Sequence, residues 1–210
     1  TVKAFGTTDT AALLASGDSG YGGRGGGPSV ILGGLVSKVR SVAIRNGRSA
    51  GKKLLIAVIE DFVGSIEAVI FPDQLADAQS LLKPDSVVFI EGSVDYRREE
   101  PSLRVDRVIP VENARRELTK HVLVRLPATG DKSDALPGLR DLCRDHRGKC
   151  RLLLQIASSD GWIATIQPKA RGLAAVDPTN ELLEQMATLV SPGKVLCAGP
   201  RGAVPVNSLN

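Results

Sequence analysis

The sequence predicts an α+β chain in three parts: a short helix and flexible glycine-rich linker (residues 1–29), a five-stranded β-barrel (30–113) and a small α+β domain (114–210). Three observations lead there. Between Val30 and Val111, β-branched runs alternate with turn clusters, and only one segment has helical spacing. Beyond Val111, strand-like and helix-like segments take turns instead. The composition, 42% hydrophobic and 24% charged over 210 residues, is that of a folded chain of one or two domains and excludes wholesale disorder.

Asp9 or Thr8 caps a helix over Thr10–Ala15, and the glycines that follow up to Pro28 are expected to be mobile. Val30–Ile44 is a long β-branched strand, and Gly33-Gly34 within it predicts a bulge or sharp bend. A turn cluster from Arg45 to Gly51 leads to a second strand, Leu54–Ile59. Asp61-Phe62-Val63-Gly64 turns into a third, Ser65–Phe71. A helix runs from Pro72 to Leu82, with Leu75, Ala78, Leu81 and Leu82 on one face. Val87–Tyr96 is the fourth strand and Leu103–Val111 the fifth, with Arg97–Pro101 as the turn between them. Five strands with one helix between the third and fourth is the order of an oligonucleotide-binding (OB) barrel.

In the last part, His121–Leu126 reads as a strand and Asp134–His146 as an amphipathic helix. Cys150–Ala157 and Trp162–Gln167 form a hairpin around Ser158-Ser159-Asp160-Gly161. Asp177 is expected to cap a final helix with Pro178 at its first position, and Lys194–Ala198 to close as a strand. No internal repeat relates the two halves.

Two motif stretches, Gly33-Gly34-Leu35-Val36-Ser37-Lys38-Val39-Arg40 and Ile59-Glu60-Asp61-Phe62-Val63-Gly64-Ser65-Ile66-Glu67-Ala68-Val69-Ile70-Phe71-Pro72, resemble the C-terminal barrel of the bacterial DNA polymerase III alpha subunit family. Phe89–Asp95 and Val108-Ile109-Pro110 fit the same pattern. His121–Val124, Gly148-Lys149-Cys150 and Asp160-Gly161 look like the family's small last domain. The resemblance is specific over residues 33–112 and looser beyond. It implies a barrel that handles single-stranded template DNA and a last domain that docks on the clamp-loader tau subunit. It also implies catalytic carboxylates in polymerase domains upstream, so this chain is expected to be non-catalytic by itself. The chain departs from the pattern in its glycine-rich linker, its scarcity of aromatics and Trp162, which stands where the family usually has a polar residue.

The charge pattern singles out the binding candidates. From Lys38 to Lys53 there are six basic residues (Lys38, Arg40, Arg45, Arg48, Lys52, Lys53) and no acid. In such barrels the loop joining the first two strands projects beside the binding face, where these cations can reach phosphates. Arg97 and Arg98 lie in the loop between the fourth and fifth strands, with Glu99 and Glu100 beside them to blunt their charge. Phe62, Phe71, Phe89 and Tyr96 are candidates for stacking on bases, Tyr96 ahead of the others, although most aromatics on strands of this kind fill the core. In the last domain Trp162, with Lys169 and Arg171, is either core or the centre of a docking surface. The basic surplus lies in this part: residues 114–210 hold fourteen basic and nine acidic groups.

Other chemistry finds little footing. Gly47–Lys53 misses the phosphate-loop spacing by one residue and ends in Lys where a hydroxyl must bind magnesium. Cys143, His146 and Cys150 offer three soft ligands where structural zinc takes four. No cofactor, metal or catalytic residue is expected. Three cysteines without a Cys-x-x-Cys pair fit a reducing cytoplasm. No apolar run approaches the ~18 residues of a membrane span, and no secretory leader opens the chain. A start at Thr1 suggests a processed protein or a piece of a longer one. Two other readings compete: a protein-only adaptor, and an anticodon-binding barrel of an aminoacyl-tRNA synthetase.

Overall fold

The computed structural model describes residues 2–16, 27–47, 49–97, 100–127, 135–158, 160–169, 174–191 and 193–206. They fall into two compact units, one of Val2 and residues 6–113, the other of residues 3–5 and 114 onward. The glycine-rich segment read as mobile lies, for residues 17–26, outside the described residues.

The first unit is a closed barrel of five strands: β1 (Ser29–Ala43), β2 (Lys53–Glu60), β3 (Ser65–Ile70), β4 (Val87–Asp95) and β5 (Ser102–Pro110), in the order β1-β2-β3-β5-β4. A short helix, α3 (Leu75–Gln79), lies between β3 and β4. It is shorter than the helix read from Pro72 to Leu82, because the segment past Ser80 turns tightly. There Asp85, at φ 67°, aims its N–H at the Val36 carbonyl, 2.9 Å away. Strand β1 works twice. Its first half pairs with β4, Ser29 to Ser93 through Leu35 to Val87, and its second half pairs with β2 as far as Ala43 and Lys53. Parallel pairing of Glu67–Val69 with Ser102–Arg104 shuts the barrel.

The pairing of Gly33 and Gly34 with β4 is regular, and the bulge in β1 falls just beyond them, between Val36 and Lys38. The glycines also serve close packing. A Cβ on Gly33 would lie 2.7 Å from the Phe89 ring, and one on Gly34 2.6 Å from the Glu60 carbonyl oxygen. Alternating residues of all five strands, among them Leu32, Ile59, Ile70, Ile90 and Leu103, fill the interior. Each fully buried side chain of this size stabilises the fold by about 1.5–3 kcal/mol.

Helix α1 (Val2–Phe5) precedes α2 (Thr10–Ala15), which Asp9 caps by accepting from the Ala12 N–H at 3.0 Å. Leu13 of α2 joins the barrel core, and the helix falls within the compact unit of the barrel. The Thr7 hydroxyl accepts from the Ile31 N–H at 2.7 Å and fastens the segment to β1.

Helix α4 (Val111–Leu118), which has no counterpart among the expected elements, follows β5 directly. The second unit is then built on β6 (His121–Pro127), α5 (Ala135–Asp145), β7 (Arg147–Ala157), β8 (Ile163–Ile166), β9 (Ala175–Val176), α6 (Asn180–Val190), β10 (Val195–Ala198) and β11 (Ala203–Pro205). Its six-stranded sheet runs β11-β10-β6-β7-β8, with β9 on β7; among the described strands of this sheet only β6 and β7 pair in parallel. Buried Leu139 and Cys143 of α5 and Leu182, Leu183 and Met186 of α6 form its core with Val122, Val124 and Leu152 of the sheet. Asp177 does not cap α6, as had been expected. Its carboxylate is held by Arg116 at 2.6 Å, and Thr179 takes the capping position, accepting from the Leu182 N–H at 3.2 Å. No helix among the described residues is long and apolar enough to cross a membrane.

Candidate nucleic-acid interface

Directly paired residues of neighbouring strands point to the same side of a sheet. The register therefore lays out the barrel's outer face row by row. Lys38 faces Val58, which faces Glu67. Arg40 faces Ile56, which faces Val69, which pairs with Arg104. Val42 and Leu54 follow, with Phe71 two residues beyond Val69 on the same side. Ile56 is buried yet stands apart from the barrel's core cluster, as a floor residue of this face should. The result is an apolar strip bordered by cations.

Phe71 is the aromatic of this strip, 37% exposed, with the Arg104 guanidinium 5.4 Å from its ring centroid. A cavity of about 350 Å³ opens beside the pair, lined by Val69, Phe71, Asp95, Arg97, Ser102 and Arg104. Arg97 grips Asp95 through Nε at 2.8 Å and Nη2 at 2.5 Å; hydrogen bonding first, then charge, raises the guanidinium pKa further. Arg40 reaches Glu67 at 2.7 Å, an exposed pair. Each pair keeps an arginine side chain extended over the face. Exposed pairs of this kind are worth little, so a phosphate can replace the carboxylate at small cost.

The hairpin between β1 and β2 carries the remaining cations. Gly47 and Gly51 sit at φ 92° and 84°, a conformation that favours glycine, and the Gly51 N–H closes the turn on the Ile44 carbonyl at 2.9 Å. Arg45, Lys52 and Lys53 are exposed at this end; Arg48 lies outside the described residues, as does Arg98. Tyr96 is half-buried against the barrel core, and its hydroxyl donates to the Leu13 carbonyl at 3.4 Å. Its ring is thus engaged by the barrel's own packing. Phe71 and Arg104, not singled out from the sequence as a binding pair, occupy the open face. Alternation along Ser65–Phe71 was the available signal for Phe71. Nothing local signals that Arg104 returns to it.

Trp162 is not core. It is 75% exposed, and Ile163 and Ile166 are 62% and 45% exposed, on a strand with every residue open to solvent. Lys169 is exposed too, and Arg171 lies outside the described residues. A cavity of about 590 Å³ borders this strand, with an apolar lining from Leu126, Ala157, Ile163 and Val190 and two cations, Arg125 and Lys194.

The Cys143–His146–Cys150 array does not converge. Among the described residues no three His, Cys, Asp or Glu side chains gather as metal ligands. Burial pushes the thiols of Cys143, Cys150 and Cys197 up to about 11, so each is neutral near pH 7. Neutral thiols are poor nucleophiles.

Residues 30–111 match the family described as OB-fold nucleic acid binding domain. The chain is 38% identical over 112 residues to the DNA polymerase III subunit alpha of Pseudomonas fluorescens, an alignment covering 52% of this chain and 10% of that protein. It is 34% identical over 138 residues to the Pseudomonas aeruginosa subunit, covering 65% and 12%. The chain thus spans only about a tenth of the length of these relatives. Among solved structures, RecG bound to a three-way DNA junction overlaps 51% of this chain and 13% of its own, at 17% identity and a TM-score of 0.38.

Proposed function

We propose, from the premise that residues 30–111 are an OB-fold nucleic acid binding domain homologous to part of bacterial DNA polymerase III alpha subunits, that this chain is the non-catalytic C-terminal region of such a subunit and holds single-stranded template DNA. The observation that carries the reading is the outer face of β1, β2 and β3. It offers an exposed aromatic ring backed by a guanidinium, an apolar floor, and cations at its border and at the hairpin end. Single strands need this combination: positive charge for the phosphates and a flat ring for the bases. In this reading Lys38, Arg45, Lys52 and Lys53 neutralise phosphates, Arg40 and Arg97 exchange a carboxylate for a phosphate, and a base lies on Phe71.

Filter binding of single-stranded DNA, duplex DNA and tRNA at two salt concentrations tests the proposal. Single-stranded DNA should bind best and weaken steeply with salt. A preference for folded tRNA would favour the anticodon-binding barrel, and no binding at all the protein-only adaptor.

The exposed strand at Trp162 supports the docking half of the reading. A tryptophan and two isoleucines in water beside basic groups suit a protein partner. The clamp-loader tau subunit is the partner proposed, in a cytoplasmic replisome where upstream domains of the parent chain supply the polymerase chemistry.

A further inference from the structure

The basic surplus of the last domain has a focus. A cavity of about 470 Å³ lies in this unit, where the end of α4 meets the start of β7. Arg116, Lys120, Arg147 and Lys149 line it, against the acids Glu117 and Asp177. Asp177 is committed to Arg116, which it holds through Nε at 3.0 Å and Nη2 at 2.6 Å. Lys120, Arg147 and Lys149 are exposed and make no ion pair among the described residues.

The backbone is shaped to bring these cations together. The register of β7 against β9 slips between Arg147 and Cys150, and Gly148 sits in the slip, pressed on the backbone of Val176 and Asp177 where no side chain fits. The Asp177 N–H closes the contact on the His146 carbonyl at 2.9 Å. Arg147 and Lys149 thereby flank a fixed point, with Arg116 clamped by the same Asp177. No aromatic side chain lines the cavity, so it has no surface on which to stack a base.

We infer that this cavity is a second nucleic-acid site, which binds the phosphodiester backbone without reading sequence. The inference rests on the reading that the chain binds nucleic acid. Cations without an aromatic platform recognise phosphates alone. An acidic protein segment is the less favoured ligand, because such segments also carry apolar anchors, and the apolar surface of this unit lies at Trp162 and Ile163 instead.

An amide-resolved NMR titration of the full chain tests it, with (dT)12, inorganic phosphate and polyglutamate as probes. Three forms are compared: the unmodified chain, a barrel variant (Lys38→Glu, Lys52→Glu, Lys53→Glu) and a cavity variant (Lys120→Gln, Lys149→Gln), whose retained amide dispersion shows that it folds. In the barrel variant the amides of 119–120 and 147–150 should still shift with (dT)12, with a log–log salt slope of about −2 for three phosphates. In the cavity variant those shifts should fall several-fold while barrel amides respond as before. Silence of the cavity amides in the barrel variant overturns the inference, as does saturation by phosphate alone or an equal response to polyglutamate. If barrel amides stay silent in the unmodified chain while cavity amides respond, the barrel reading fails and this one stands.

Discussion

The Asp61 carboxylate holds the first residue of α2 by both its backbone and its side chain: Oδ2 accepts from the Thr10 N–H at 2.7 Å and Oδ1 from the Thr10 hydroxyl at 2.7 Å. Oδ1 also accepts from the N–H groups of Val63 and Gly64, at 2.9 and 3.0 Å, within its own turn. One side chain therefore shapes the β2–β3 turn and anchors a helix fifty residues upstream.

Asp61→Ala should cost about 1–2 kcal/mol of stability, the range for a partly exposed charged acceptor that loses several donors. Burial acts to raise the Asp61 carboxyl, but the hydrogen bonds from Thr10, Val63 and Gly64 outweigh it and hold the pKa below its ordinary value. Its stabilisation is thus complete above the usual carboxylate range and lost as pH falls through the folded value. Urea melts at pH 7 and pH 3 check this: the gap between the two proteins should narrow in acid.

Reversing Arg45, Lys52 and Lys53 to Glu should abolish single-stranded DNA binding by the barrel and leave its melting temperature nearly unchanged, since exposed charges add little to folding. The unmodified chain should show a log–log salt slope of about −3 to −4, from four to six phosphates. Undiminished affinity in the triple variant would remove the hairpin from the interface.

Phe71→Ala should weaken single-stranded DNA binding by about 1–3 kcal/mol without altering the salt slope, because it removes stacking and no charge. Arg104→Ala should weaken binding and flatten the slope by about one phosphate's share. Fluorescence anisotropy over a salt series separates the two effects. Equal slopes in both variants would show that Arg104 meets no phosphate and only backs the ring.

Trp162 is the single tryptophan of the chain, so its emission reports one place. It should be red-shifted and readily quenched by acrylamide in the free chain, and turn blue when a partner docks. Trp162→Ala should change stability by no more than about 0.5 kcal/mol and cost about 2 kcal/mol or more of partner affinity. Calorimetry with the tau subunit decides. A large loss of stability would contradict the exposed position.

The thiols of Cys143, Cys150 and Cys197 should alkylate slowly at pH 8 in the native chain and quickly once it is unfolded. Burial raises all three to about 11, so the native state keeps protons that the unfolded chain releases from about pH 9. Stability should therefore decline as pH rises from about 9 toward 11. Rapid labelling of native protein at pH 8 would show that the thiols are open.

Strand order in the barrel was legible because β-branched runs and Gly, Pro and Asp turns are local signals. Helix α4 was not: Val111 follows β5 with no turn residue between, and its buried face is little more than Ala114 and Leu118. The Gly33-Gly34 pair marked the right stretch but not the bulge's position, since a close neighbour and a bulge leave the same mark in a sequence. Asp177 looked like a cap because Arg116, which claims it, lies sixty-one residues away. Alternation along 162–166 separated two faces but could not say that both are open to water. The Phe71–Arg104 pair depends on β3 meeting β5, a pairing that leaves no trace in either segment alone.

The double duty of β1 also sets the order in which the barrel can assemble. Its pairing with β2, and that of β2 with β3, join near neighbours in the chain and can form early. The pairings of Ser29 with Ser93 and of Val69 with Arg104 span long loops, and contacts of that separation form slowly. A ribosome must therefore deliver Ser102–Pro110 before the ring can close. A chain stopped short of Ser102 would leave β3 with an unpaired edge and the core isoleucines Ile59, Ile66 and Ile70 without their full cover, the kind of surface on which partly folded chains aggregate.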